Sequence, residues 1–264
     1  MSLSGATADP ASSRTIIEDL GIGVLANIIT AFLTLTIALL WFVFVGRRKL
    51  LRFFGIQKTK QLRIYTGHIK QEGIPLGVVG FEEISEAKNL ERLFRSTVPG
   101  QSGLFRFLQL TDIDVEVLPA RQNDATVSLG QSVISLGLRT SNHASLLIER
   151  ELKCPVHFDD AKRAIVGPNS LELVPYSSGT KAVVVRLCHD DKHYFYLAGF
   201  TEPATACAAR FLLRNWRSMH KRYSPGKSFY YLVEMKPDSI NTVISLAEHE
   251  LHFRVDSMNR KNGE

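Results

Sequence analysis

Apolar positions follow two regimes along this chain. Between Gly21 and Val45 no residue is charged, and Arg47-Arg48-Lys49 comes immediately after. About 25 mostly apolar residues suffice to cross a ~30 Å hydrocarbon core as a helix. The run also lacks the one-sided polar stripe of a surface helix. A transmembrane helix is therefore expected over 21–46. Its polar side chains Asn27, Thr30, Thr34 and Thr36 are uncharged, and Trp41 sits near the basic end, where an indole favours the membrane–water interface.

Beyond residue 61, short apolar runs alternate with helical stripes. Residues 62–69 read as a strand, and 81–94 as a helix with Ile84, Ala87, Leu90, Leu93 and Phe94 on one face. Residues 113–118 alternate as a second strand. Residues 132–136 form a short strand of the buried type, followed by a helix over 141–152. The runs 181–187 and 193–200 flank a polar Cys-His-Asp-Asp-Lys segment and predict a β-hairpin. A long amphipathic helix follows over 203–222 through Ala206, Ala209, Phe211, Leu212, Leu213 and Trp216, then a strand over 229–235. Residues 240–255 fit helix or strand equally.

Near-alternation of strands and helices predicts an α/β domain behind the apolar helix: a layered, mostly parallel, Rossmann-like sheet with one β-hairpin. The expected organisation is a disordered N-terminal tail over 1–20, the span over 21–46 and a basic juxtamembrane connector over 47–61. The α/β domain covers 62–257 and a C-terminal tail 258–264.

Charge changes this picture by giving it a direction. Asp9, Glu18 and Asp19 precede the span against Arg14 alone. Arg47, Arg48, Lys49, Arg52, Lys58, Lys60 and Arg63 follow it, with no acid before Glu72. Lys/Arg bias keeps the basic side in the cytoplasm, so the N-terminus is expected outside and the domain inside. A cleaved signal peptide fits badly, because its basic region would come first. The lipid bilayer is the first expected partner. The net charge of +6 owes much to the juxtamembrane run, which can rest on anionic headgroups, with Phe53 and Phe54 in the headgroup layer. No nucleic-acid motif accompanies the basic residues 217–222, which read as a solvated helix face. Three cysteines at irregular spacing predict neither a disulfide framework nor a zinc site.

Candidate chemistry concentrates where a strand ends in glycine and a helix begins. One such place is Ser135-Leu136-Gly137-Leu138-Arg139-Thr140-Ser141-Asn142; the other is Ala198-Gly199-Phe200-Thr201-Glu202-Pro203-Ala204-Thr205. In an open α/β sheet, ligands bind outside the carboxyl ends of the strands. Glycine admits a ligand to the backbone, and a capped helix start favours an anion. Gly137, Arg139, Asn142, Gly199, Thr201 and Thr205 are thus the expected ligand-binding residues for a nucleotide-like small molecule. Plain strand-to-helix turns would carry the same residue types. Thr66, Gly67 and His68 form a third turn of this kind if the first strand stops there.

These two segments resemble bacterial α/β domains that carry a strand–Gly–x–x–x–Asn turn and a later Ala-Gly…Thr-Ala-Ala helix, several of them tethered to a membrane helix. Their layout is similar to nucleotide-handling domains of bacterial conflict and defence systems. The resemblance implies a signalling or antiviral defence role. This chain departs from it in reading Gly137-Leu138-Arg139 where Gly-Gly-Pro is common.

Other motifs fail on spacing. Ser224-Pro225-Gly226-Lys227-Ser228 lacks the first P-loop glycine and precedes a strand. His249-Glu250-Leu251-His252 is one residue short of HExxH. The His189-Asp190-Asp191-Lys192-His193 segment is as well explained by a polar turn, so no metal site or cofactor is assigned. Glu82 or Glu83 would suit a nucleoside or NAD N-glycosidase, whose carboxylate stabilises an oxocarbenium-like transition state; Glu149 reads as solvent-facing. No catalytic residue is assigned. The alternatives to a nucleotide-binding domain are that enzyme and a membrane-tethered interaction scaffold.

Overall fold

A computed structural model describes residues 10–56, 60–67, 80–95, 113–121, 126–223, 226–235 and 243–251. Its internal contacts divide the chain into two units, Met1–Arg47 and Arg48–Glu264.

The first unit carries most of helix α1 (Pro10–Phe53). The helix starts at Pro10, inside the segment expected to be a disordered tail, and runs past residue 46. Helix propensity continues through the polar Ser-Ser-Arg-Thr start because nothing there breaks it; Pro10 is tolerated as the first helical residue. Its part Asn27–Phe53 is long and apolar enough, by length and composition, to cross a membrane. Phe32, Leu35, Trp41 and Phe42 are each more than two-thirds exposed, so this stretch is not a core helix of the described structure. The hydroxyls of Thr34 and Thr36 donate to the carbonyls of Thr30 and Phe32, both at 2.8 Å, which satisfies them without water.

In the second unit a seven-stranded mixed sheet is built from β1 (Gln61–Thr66), β2 (Asp114–Pro119), β3 (Ser132–Leu136), β7 (Lys181–His189), β8 (Lys192–Gly199), β9 (Ser228–Met235) and β10 (Val243–Leu251), in the order β10-β9-β7-β8-β3-β1-β2. The β2–β1, β1–β3 and β3–β8 pairs are parallel, and the remaining pairs are antiparallel. Five strands therefore run one way and β7 and β10 the other. Among the described residues the unit's α-helices are α2 (Phe81–Arg95), α3 (His143–Glu151) and α4 (Glu202–Arg222).

Alternation along the strands sorts side chains onto two faces. Leu62, Ile64, Ile134, Leu136, Phe195 and Leu197 pack on one face with α2 and α4. Tyr65, Val133, Tyr194, Tyr196 and Ala198 pack on the other with Ala144 and Ile148 of α3. That second face also meets a small antiparallel sheet, β4 (His157–Asp159), β5 (Ala164–Val166) and β6 (Glu172–Pro175). Antiparallel structure is thus more extensive than the one expected hairpin. The hairpin itself, β7–β8, turns on Asp190 and Asp191, both at positive φ (50° and 63°). This is the two-residue turn whose twist matches its strands.

The expected place of Phe53 and Phe54 in a headgroup layer is corrected. Both rings are fully buried, packed with Phe195, Phe94, Trp216 and Phe229. Leu50, Phe53 and Phe54 fall at i, i+3 and i+4, so the last turn of α1 presents one apolar face and is built into the core. The basic connector predicted for 47–61 is therefore, over residues 48–56, part of the folded domain.

Candidate functional site

β1 and β3 lie side by side and parallel, but the chain leaves them in opposite directions. After β1 it passes through α2 on one face to β2, and after β3 it enters α3 on the other face. A crevice outside the strand ends is the geometric result of such a reversal. Two glycines, Gly67 and Gly137, follow these strands. A Cβ added to Gly67 would stand 3.1 Å from Glu83 Oε2 and 3.1 Å from Ser141 Oγ. One added to Gly137 would stand 3.2 Å from Ser141 Oγ, 3.7 Å from Glu83 Oε1 and 3.8 Å from Gly67 Cα. Gly137 also has φ +103°, a conformation that side chains disfavour. Four residues from three segments thus converge on one point: Gly67 after β1, Glu83 on α2, and Gly137 and Ser141 in the β3–α3 turn.

Glu83 sits in the first turn of α2 and is buried. The Gly67 N–H donates to its Oε2 at 3.3 Å. Burial, which disfavours the charged form, raises the pKa to about 7; the Gly67 bond opposes this and the nearby Glu202 carboxylate adds to it. Glu82, its neighbour, is engaged elsewhere. Arg210 on α4 reaches Glu82 Oε2 at 3.2 Å and Glu86 Oε1 at 2.6 Å. Glu202 accepts from the Glu82 N–H and lies against Gly80, so the starts of α2 and α4 are held together. Between the two acids considered from sequence, Glu83 is the one beside both glycines.

The other expected ligand residues make contacts within the fold. Asn142 is fully buried; its amide donates to the Tyr65 and Leu136 carbonyls at 3.0 and 2.7 Å, and its Oδ1 accepts from Ala144 N–H at 2.9 Å. It caps α3 and ties the ends of β1 and β3 together. Arg139 pairs with Glu149 at 3.4 Å and with Asp160, and lies 5.6 Å from the Phe158 ring centroid. Thr201 caps α4, accepting from Ala204 N–H at 3.2 Å and donating to the Gly179 carbonyl at 2.7 Å. Thr205 is buried, with its hydroxyl 3.2 Å from Gly199 N–H. A Cβ on Gly199 would come within 2.6 Å of Ala204 Cβ, so this glycine lets α4 start close to β8. Pro203 lacks an N–H and Thr201 takes that of Ala204, which leaves the α4 start poorly suited to an anion. His68 lies outside the described residues.

Glu149, read from sequence as solvent-facing, is buried instead. Phe158 N–H donates to it at 3.1 Å, and the Tyr196 hydroxyl faces it short of hydrogen-bond geometry. Burial outweighs Arg139 here too and raises its pKa to about 7. Glu149 follows the buried Ser145 by four positions, the spacing that puts both on one face of α3.

Among the described residues, no group of three or more His, Cys, Asp or Glu is arranged to hold a metal ion. His249 and Glu250 lie on a strand, not a helix, and His252 is outside the described residues. No protein-family model matches the chain, and no curated protein matches it.

Proposed function

We propose that this is a single-pass, membrane-anchored α/β domain that binds a nucleotide-like small molecule at the β1/β3 crevice, as a signalling or defence component. The observation that carries the reading is the convergence of Gly67, Gly137, Ser141 and the buried Glu83 carboxyl at a strand-order reversal. The layering has a Rossmann-like logic, in which such a reversal is the usual ligand position. The two glycines let the Glu83 carboxyl and the Ser141 hydroxyl stand against the strand ends, and a carboxyl of near-neutral pKa suits ribose hydroxyls, as acceptor when ionised and also donor when protonated. A phosphate at the Thr201 helix start is not part of this reading.

The basic residues after α1's apolar stretch support an orientation with the N-terminus outside and the domain in the cytoplasm. The test is a thermal-shift series on the full chain with nucleotides, cyclic nucleotides, nucleosides and NAD. A ligand at ~100 times its Kd adds about 2.7 kcal/mol of apparent stability. Glu83→Gln should remove that shift while Arg139→Ala keeps it; a ligand bound equally well by Glu83→Gln protein refutes the site.

The same carboxyl favours a second reading as a nucleoside or NAD N-glycosidase. An acid held away from the Arg210 pairs, at near-neutral pKa, can stabilise an oxocarbenium-like sugar once ionised. Base release that disappears in Glu83→Gln protein would establish it; a hit that is bound but never turned over leaves the binding reading alone.

A further inference from the structure

We infer that the C-terminal end of α4 forms, with the end of α1, a second docking surface for the anionic phospholipid headgroups of the bilayer that holds α1. The inference rests on the reading of α1 as a membrane span. Lys49 and Arg52 stand on the last turn and a half of α1, directly after the apolar stretch. The end of α4 is packed against that turn: the Trp216 and His220 rings lie 6.2 and 6.3 Å from the Phe53 ring. His220 is close enough to Lys49 and Arg52 for both to oppose its protonation, after burial as the main cause. This packing sets the last two turns of α4 beside the turn that carries Lys49 and Arg52.

These turns present Arg217 and Lys221 to solvent. Arg48, Lys49, Arg52, Arg217 and Lys221 are all exposed, and among the described residues none of them has an acidic partner, whereas Arg222 is paired with Glu248 and Lys227 with Glu250. Arg217 also rests 5.4 Å from the buried Trp216 ring, which holds its guanidinium against the end of α4. Five cations on two helices, none with an acidic partner among the described residues, make one basic surface suited to the headgroups that would border the apolar stretch of α1. Two helix ends in contact with it would limit how the domain tilts, where one helix alone would not.

The experiment uses the full chain in nanodiscs of phosphatidylcholine, alone or with about one third phosphatidylserine. A fluorophore at Ser218→Cys, in a Cys188→Ser background, is read by a quencher on the lipid headgroups. Quenching should rise with phosphatidylserine and fall in high salt. At about fivefold per basic side chain, Arg217→Ala with Lys221→Ala should lower the docked-to-undocked ratio roughly 25-fold. Arg150→Ala with Lys153→Ala, the same charge change on and beside α3, should leave it unchanged. Quenching that ignores phosphatidylserine, or that survives the α4 changes, overturns the inference while the anchor stands. A chain that fails to float with phosphatidylcholine vesicles refutes the anchor itself.

Discussion

His193 Nδ1 lies 2.7 Å from the carbonyl oxygen of Phe53, so an imidazole from β8 closes the last turn of α1. A carbonyl only accepts, which places the proton on Nδ1. Burial first, then the Arg186 charge, lowers this histidine's pKa to about 4 and keeps the ring neutral. Ser132 reinforces the joint by donating to the Gly55 carbonyl at 2.9 Å.

That joint predicts a large structural penalty. Phe53→Ala should cost about 3–5 kcal/mol as a fully buried aromatic, and His193→Ala about 1–3 kcal/mol for the orphaned carbonyl. Urea unfolding of the full chain in detergent checks both. If Phe53 stood among headgroups, its removal would leave the midpoint unmoved.

Much of the domain was legible because its elements follow clean periods. β1, β3, β7 to β9, α2 and α4 each carry an apolar run or stripe over five residues or more. Residues 240–255 resisted assignment because a bulge between Ser245 and Ala247 breaks the period of two. β4, β5 and β6, at three or four residues each, are too short to show a period. The basic neighbours of Phe53 and Phe54 suggest a membrane-surface segment, whereas the Leu50-Phe53-Phe54 spacing carries the signal of a buried helix face. At the site, glycine at the strand ends was readable, but Arg139's partner Asp160 is 21 residues away and no local pattern announces it.

Stability should depend on pH through Glu83 with a definite sign. Its native pKa of about 7 lies above the ordinary 4.5, so between these values the native state binds more protons than the unfolded state. Its contribution is therefore fully present below pH 4.5 and is lost as pH rises through 7. His193 acts oppositely as pH falls from 6.5 towards 4, so the parent curve alone mixes the two. The difference between Glu83→Gln and parent isolates the acid. The variant should gain relative stability from pH 4.5 to 8, by at most about 3 kcal/mol. A flat difference would show that Glu83 ionises freely.

Asn142 and Arg139 should separate cleanly. Asn142→Ala orphans two carbonyls and one N–H at the strand ends and should cost about 3 kcal/mol or more. Arg139→Ala breaks pairs that solvent partly screens, and should cost about 1 kcal/mol at pH 8. That cost shrinks at pH 6, where Glu149 becomes protonated. Chemical unfolding at the two pH values distinguishes them.

Gly67→Ala tests the crevice without a backbone penalty, since Gly67 has no positive φ. Its methyl would press on Glu83 and Ser141, each 3.1 Å away. Ligand affinity should fall at least tenfold while the unfolding midpoint moves little. Unaltered affinity in titration calorimetry would move the ligand elsewhere.

The partners of Phe53 sit at residues 195, 216 and 229, near the far end of the chain. At 5–20 residues per second of synthesis, they emerge on the order of ten seconds or more after the ring they must cover. β1 waits similarly for β3, and β3 for β8. The foot of α1 is thus among the first pieces of the core to be made and among the last to be enclosed. During that interval, Leu50, Phe53 and Phe54 leave a bare apolar patch on the nascent chain, where aggregation competes with folding.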